Sequence, residues 1–428
     1  MKIDDLLLGI ENCKCGKSHS CHIKRVDICE GAISKLREIT KGYGKVVLVA
    51  DENTYNAAGR SVELQILDKI QSRIVFSGEK ILIPDEAAID RIKSCVTKKT
   101  ELIIGVGSGV INDLCKYVSF ISDIPYVIVA TAPSMDGYAS HGAAMILSGM
   151  KVTVNAHVPE AIIADTNILK NAPFDMILAG YGDIIGKYSC LCDWRLAALV
   201  RDEYICDFVL RETYGYVNRT RELSDRLHKR APEAIEALMS ALVAVGILMS
   251  YVGNSRPASG SEHHFSHYFE IVGIVKGEKY LPHGIDVFYS AAESAKIREE
   301  ILSLEKADIS AFDFDFSKYE RNIKRIYCSV ADEVISLQKK IGWYLETESR
   351  VEIYKSKFNE IKKILSDAPS FAESCRMLSE VGMKYSDFTE FYGKEKIDDA
   401  YLYAKDLKDR YTVLWLYYDL FGARAVQK

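Results

Sequence analysis

"LIIGVGSGVINDLCKY", Leu102 to Tyr117, decides the fold. A β-branched apolar run breaks at three glycines, Gly105, Gly107 and Gly109, and continues with a helical pattern. Such a turn lets backbone approach a ligand closely, and the amides at a helix start favour an anion such as a pyrophosphate. The G-x-G-x-x-G fingerprint is not met, because Val110 or Asn112 falls where the third glycine belongs. Alone, the segment reads equally well as a tight strand-to-helix turn.

Its neighbours sharpen the reading. "KVVLVA" (Lys45 to Ala50), "RIVF" (Arg73 to Phe76), "ELIIGVG" (Glu101 to Gly107) and "PYVIVA" (Pro125 to Ala130) read as buried strands of a parallel sheet. Helical stretches separate them, the βαβ signature of a nucleotide-binding layer. Asp51 falls at the carboxyl end of the first strand, where an acid accepts hydrogen bonds from a ribose and disfavours a 2′-phosphate. "TAPSMDGYAS" follows the last strand and brings Thr131, Ser134, Ser140 and the Asp136 carboxylate. All three segments leave one edge of the sheet, where ligands of open α/β sheets bind. After about Pro159 the pattern turns to long helical segments. We therefore expect an α/β dinucleotide-binding domain with a parallel sheet over 1–158 and an all-α domain over 159–428.

Composition agrees with this class. The 428 residues are 48% hydrophobic and 27% charged, as in ordinary globular proteins. A net charge of −5 argues against a nucleic-acid-binding surface. The opening "MKIDDLLLGIENCKCG" has no basic region followed by a long apolar one, which predicts no signal peptide. "ALMSALVAVGILMSYVG", Ala237 to Gly253, is uncharged but short for a membrane span, so a buried helix is expected. Eleven cysteines without a signal predict reduced thiols and a cytoplasmic protein. "CKCGKSHSCH" gathers Cys13, Cys15, His19, Cys21 and His22. Its C-x-C spacing, with no second pair nearby, reads as a polar hairpin or turn, the rival being a zinc-stapled binding module.

The second half carries a different chemistry. "AGYGDIIGKYSCLCDWRLA" is helical in pattern despite Gly180, Gly182 and Gly186, which cost helix stability and suggest close backbone approach at a cleft. Asp183 and Lys187 lie four apart on one face in apolar surroundings, either a surface ion pair or charges awaiting a ligand. "SGSEHHFSHYFE", Ser259 to Glu270, holds His263, His264 and His267 among only nine histidines. On a helix His263 and His267 share a face and His264 points elsewhere. "YLPHGIDV" places His283 at the start of another helix. Asp183, His263 and His283 make an Asp-His-His set suited to Zn²⁺, Ni²⁺ or Fe²⁺.

"GSGVINDLCKY", "TAPSMDGYAS", "GYGDIIGKYSCLCDW", "RPASGSEHHFSH" and "LPHG" resemble the sn-glycerol-1-phosphate dehydrogenase family. That family shares a superfamily with glycerol dehydrogenase, iron-containing alcohol dehydrogenases and dehydroquinate synthase. The match runs from roughly Val46 to Asp286, and the tail beyond about Ser290 reads only as helices. The resemblance implies a dehydroquinate synthase-like fold with a metal between its domains. It implies dinucleotide binding by Asp51, by Gly109, Val110, Ile111, Asn112 and Asp113, by Thr131, Ala132, Pro133 and Ser134, and by Ser140. Asp136 and His267 would contact substrate, and Asp183, His263 and His283 would hold zinc or nickel.

The implied activity is reversible reduction of dihydroxyacetone phosphate to sn-glycerol 1-phosphate with NADH or NADPH, NADH being preferred because of Asp51. Lys187 or Arg256 would meet the substrate phosphate. A homodimer or larger oligomer is expected, with no nucleic-acid partner and no membrane span. The alternatives are a glycerol or other polyol dehydrogenase and a dehydroquinate synthase-like cyclase.

Overall fold

Six strands pair side by side, all parallel, in the order β1-β8-β5-β4-β2-β3 in the computed structural model, which describes residues 1–147, 150–306, 309–310 and 314–425. They are β1 (Arg25–Cys29), β2 (Val46–Asp51), β3 (Ile70–Phe76), β4 (Leu102–Gly107), β5 (Tyr126–Ala130) and β8 (Ala161–Asp165). β6 (Gly142–Leu147) and β7 (Met150–Asn155) form a separate antiparallel hairpin. The run of branched residues in β2, β4 and β5 follows from burial on both faces. Val46, Leu48, Leu102, Ile104, Val127 and Val129 join Ile163 of β8 in one apolar cluster, and Val47, Val49, Ile103 and Ile128 are equally enclosed. Each such side chain contributes about 1.5–3 kcal/mol on burial.

β8 falls beyond Pro159, in the stretch expected to be helical. "AIIAD" pairs with β5 (Ile128 opposite Ile162) and with β1 (Val26 opposite Ile162), so the sheet extends to Asp165. A five-residue apolar run has no periodicity that separates a buried strand from a buried helix turn.

The chain packs as two compact units, Met1–Ile184 with Arg211–Asn254, and Ile185–Leu210 with Ser255–Lys428. In the first, the helix Gly109–Ser122 lies against the sheet. Gly105 and Gly107 allow this: a Cβ on Gly105 would sit 2.9 Å from Cys115 Sγ, and one on Gly107 would sit 2.5 Å from Ile111 Cβ. The helix Pro232–Val252 is long and apolar enough to cross a membrane by length and composition, and most of it is buried in the protein. Within its unit it meets the turn Asp136–Ala139, with the Cβ position of Gly246 only 2.8 Å from Ala139 Cβ.

The second unit is helical among its described residues. The helices Ser261–Lys276 and His283–Leu302 carry the histidines. The tail folds over them. The Tyr392 hydroxyl donates to Asp286 Oδ2 (3.1 Å) and accepts from Leu281 N (3.0 Å), bracing the turn before His283. Its ring stacks on Phe269 at 4.0 Å between centroids. Deeper in the tail, Arg350 pairs with both oxygens of Asp419 at 2.7 and 2.8 Å, both residues being fully enclosed. Breaking such a pair strands a buried charge and costs about 3–5 kcal/mol.

Candidate active site

In the first unit the expected dinucleotide residues gather at the carboxyl edge of the sheet. Asp51 ends β2 and caps the next turn, its Oδ1 accepting from Thr54 N at 2.9 Å. Ile111 and Asn112 turn their side chains into the protein and are buried. The first backbone N–H groups of the Gly109–Ser122 helix have no partner within the helix, an end whose dipole favours negative charge. Gly109 keeps that approach open, the nearest atom to a Cβ there being Met135 Cγ at 3.7 Å.

Thr131 to Ser140 form a braced loop. Thr131 N donates to Gly107 O (3.1 Å), and the Tyr138 hydroxyl donates to Ala132 O (2.7 Å). Asp136 N donates to Asp183 Oδ2 at 3.0 Å, tying the Asp136 turn to the Asp183 carboxylate within this unit. Asp183 is 1% exposed, which excludes the surface ion pair considered for it. Gly180, one turn earlier on the same helix, would place a Cβ 1.8 Å from Pro133 O, so the close approach suggested by its glycines is real at this position.

Lys116 escaped the sequence reading. It is fully buried, and its Nζ donates to Gly137 O and Gly142 O, both at 2.8 Å. Burial lowers its pKa to about 8, against the pull of Asp113 and Asp136 in the other direction. It ties the Asp136 turn to the β6 hairpin. Nothing but tertiary placement distinguishes it from a lysine on a solvated helix face. Asp113 anchors the same hairpin by accepting from Ala144 N at 3.1 Å.

In the second unit three imidazoles converge. Ring centroids are 5.2 Å apart for His263 and His283, 5.5 Å for His267 and His283, and 6.1 Å for His263 and His267. His263 is buried, His267 half-buried and His283 exposed. Two imidazoles on one tetrahedral ion, with metal–nitrogen bonds of about 2.0–2.1 Å, hold ring centres roughly 5 Å apart. The 5.2 Å between His263 and His283, and the chemistry of the two imidazoles, suit one zinc-type ion. His263 Nδ1 lies 2.7 Å from Glu262 Oε1, so with Nδ1–H donating to that carboxylate, Nε2 carries the lone pair a metal needs. Ser266 Oγ lies 3.3 Å from His283 Nδ1 and steadies the third ring.

The start of the histidine helix is anchored by a residue the motif reading passed over. Asp193 accepts from Ser261 N (2.6 Å) and Val413 N (2.7 Å), joining that helix to the tail. Burial, with the Glu262 charge second, pushes its carboxyl up to about 6. His264 is fully buried, and burial pushes its imidazole pKa well below the usual value. Lys187 is fully buried and donates to Ala258 O at 2.9 Å. Arg256 spends its donors on the protein: Nε and Nη2 on the Glu203 carboxylate, Nη1 on Tyr411 O at 2.8 Å. It braces the loop before the histidines.

Several known proteins are similar to this chain. The iron-containing alcohol dehydrogenase family matches residues 27–173. A glycerol-1-phosphate dehydrogenase, NAD(P)⁺, of Geobacillus thermodenitrificans is 33% identical over 295 residues, covering 67% of this chain and 72% of that protein. One of the same name from Bacillus licheniformis is 30% identical over 412 residues, 94% of this chain and 90% of that protein. Among solved structures, alcohol dehydrogenase from Oenococcus oeni superposes with a TM-score of 0.57 at 15% identity, covering 94% of this chain and 98% of that one. Glycerol dehydrogenase from Schizosaccharomyces pombe does so at 0.53 and 16%, covering 86% and 91%. These two show the shared fold, and the identity to the two bacterial relatives across most of their length shows more: this chain belongs to the glycerol-1-phosphate dehydrogenase family.

Proposed function

We propose that this protein reduces dihydroxyacetone phosphate to sn-glycerol 1-phosphate, reversibly, with NAD(P)H and a divalent metal. The observation that carries the reading is the cluster of His263, His267 and His283, with His263 oriented by the buried Glu262 carboxylate. The names of the related enzymes support the substrate. Asp183, His263 and His283 are the proposed ligands, and zinc or nickel the proposed ion. When bound, the ion supplies Lewis acidity at the substrate carbonyl and the dinucleotide supplies the hydride. The chain's own residues do the rest. Asp136 and His267 orient the substrate, and His267 relays the proton of the oxygen on C2. Lys187 pairs with the phosphate. The amides that open the Gly109–Ser122 helix hold the dinucleotide pyrophosphate, with the Thr131–Ser134 loop and Ser140 alongside. A cytoplasmic homodimer or larger assembly belongs to the same proposal, and mass measurement in solution tests the assembly.

The substrate reading has a direct test. A dianion held by fixed donors organises the reacting end, so an unphosphorylated analogue loses kcat as well as affinity. Dihydroxyacetone phosphate should exceed dihydroxyacetone by at least ~100-fold in kcat/KM, about 2.7 kcal/mol. Lys187→Ala should narrow that gap while changing activity on dihydroxyacetone much less. Better turnover of dihydroxyacetone, or sn-glycerol 3-phosphate as product, would replace this reading with a polyol dehydrogenase. Conversion of a substrate without net NADH consumption would point to a cyclase.

Cofactor choice is tested separately. A 2′-phosphate brought to the carboxyl end of β2 meets the Asp51 carboxylate, so NADH should be used in preference to NADPH. Asp51→Ser should bring the two kcat/KM values together. Equal use of both cofactors by the unmodified enzyme would remove Asp51 from this role.

A further inference from the structure

The amino-terminal cysteines and histidine have no part in the proposed reaction, yet the fold brings them together. The segment after the short helix Ile3–Leu7 turns back on itself. Ile10 and His19 form an antiparallel bridge, each N–H donating to the other's carbonyl at 2.8 Å. Between them Gly16 N donates to Cys13 O (2.9 Å) and Cys13 N to Lys17 O (3.1 Å), closing a tight turn with Gly16 at φ +85°. The turn expected from the sequence is therefore present, and it does something a bland hairpin does not. The ligand atoms of Cys13, Cys15 and His19 all lie within 4.8 Å of one another, with Cys15 Sγ 3.3 Å from His19 Nε2. Around a tetrahedral zinc, with Zn–S of ~2.3 Å and Zn–N of ~2.0 Å, neighbouring ligand atoms sit roughly 3.5–3.8 Å apart. The cluster needs only small adjustments to reach that geometry.

His19 is presented as a metal ligand is. It is 3% exposed, its Nδ1 lies 2.9 Å from Tyr251 O, and its ring stacks on Tyr251 at 5.2 Å and 6°. A carbonyl oxygen can only accept, so Nδ1 carries the proton and the Nε2 lone pair faces the thiols. An outer carbonyl that fixes the tautomer in this way is the usual support of a ligating imidazole.

The segment is also tied down at its start. The Met1 amino group pairs with Glu212 (3.1 Å), and the Tyr216 hydroxyl donates to Met1 O (2.9 Å), binding the amino-terminal segment to the helix Asp207–Glu222.

We propose that Cys13, Cys15 and His19 hold a structural Zn²⁺ distinct from the catalytic ion. Two thiolates with one imidazole are a zinc-selecting set, and one further donor completes the tetrahedron. The ion clips the amino terminus to the carboxyl end of the helix Pro232–Val252 through His19 and Tyr251. Cys21 and His22 are outside the set.

Sulfur separates the two sites, because none of the proposed catalytic ligands has any. Protein loaded with Co²⁺ in place of zinc should show intense thiolate-to-cobalt absorption in the near ultraviolet. The band should persist in the His263→Ala protein and vanish in Cys13→Ser/Cys15→Ser. By elemental analysis, His263→Ala should retain one zinc per chain after dialysis against a mild chelator, and His263→Ala combined with Cys13→Ser/Cys15→Ser should retain none. The unmodified enzyme provides a second route should the cysteine variants fold poorly. Titration with an organomercurial thiol reagent should then release one zinc equivalent. No thiolate band in the cobalt protein, or no zinc released by the mercurial, would overturn the proposal.

Discussion

Changing His263 or His283 to alanine should abolish metal binding at the active site and lower kcat/KM for dihydroxyacetone phosphate by at least ~1000-fold, about 4 kcal/mol of transition-state stabilisation. Each change removes one of three proposed protein ligands, and the remaining pair makes a weak site. Loss of metal and loss of activity should run in parallel, measured as metal content after dialysis and as initial rate with zinc or nickel restored. Glu262→Gln should give a smaller, graded effect. The ring of His263 keeps a partner at Nδ1 (2.7 Å in the parent) but loses the carboxylate that raises its basicity, a change worth 10- to 100-fold in metal affinity. His264→Ala separates structure from chemistry. It lies off the ligand face but is fully buried, so its removal should cost about 2–4 kcal/mol of stability while leaving metal content unchanged. A fully loaded, active His263→Ala enzyme would remove this site from consideration.

What the sequence disclosed and what it hid follow from the range of the interactions. β2, β4 and β5 were legible because a strand buried on both faces needs branched apolar residues throughout, and "VVLVA", "LIIGVG" and "YVIVA" supply them. β1 and β8 were not. "RVDIC" and "AIIAD" are five residues each, and only pairing with distant strands makes them strands. The hairpin of β6 and β7 was missed too, although its strands pair with each other rather than with distant ones. Among site residues, His263, His267 and His283 announced themselves by rarity and helical spacing. Glu262, Asp193, Lys116 and Tyr392 act by holding other residues. Asp193 fixes the start of a helix 68 positions away in sequence, and Tyr392 reaches Asp286 across 106. Contacts at that separation leave no local periodicity to read.

Gly180→Ala should be the most damaging single methyl that can be added to the dinucleotide side of the site. In an exposed helix this exchange is favourable by up to about 1 kcal/mol, because glycine loses more backbone entropy on folding. Gly215 supplies that reference: it is exposed in the helix Asp207–Glu222 with nothing within 4 Å of its Cβ position, so Gly215→Ala should stabilise. At Gly180 the new carbon would lie 1.8 Å from Pro133 O and 3.2 Å from Leu242 Cδ1, so backbone must move by more than an ångström. The loop cannot yield easily, being held on one side by Thr131 N to Gly107 O and on the other by the Tyr138 hydroxyl to Ala132 O. The helix must shift instead, and it carries Asp183, whose carboxylate holds Asp136 N. Overpacking of this kind costs about 3 kcal/mol, enough to overwhelm the propensity gain. Thermal unfolding should therefore show Gly180→Ala markedly less stable and Gly215→Ala slightly more stable than the parent. Fluorescence titration should show NADH binding weakened at least ~10-fold in the first (about 1.4 kcal/mol) and unchanged in the second. Parent-like stability and NADH affinity in Gly180→Ala would mean that the helix does not press on the Thr131–Ser134 loop in solution.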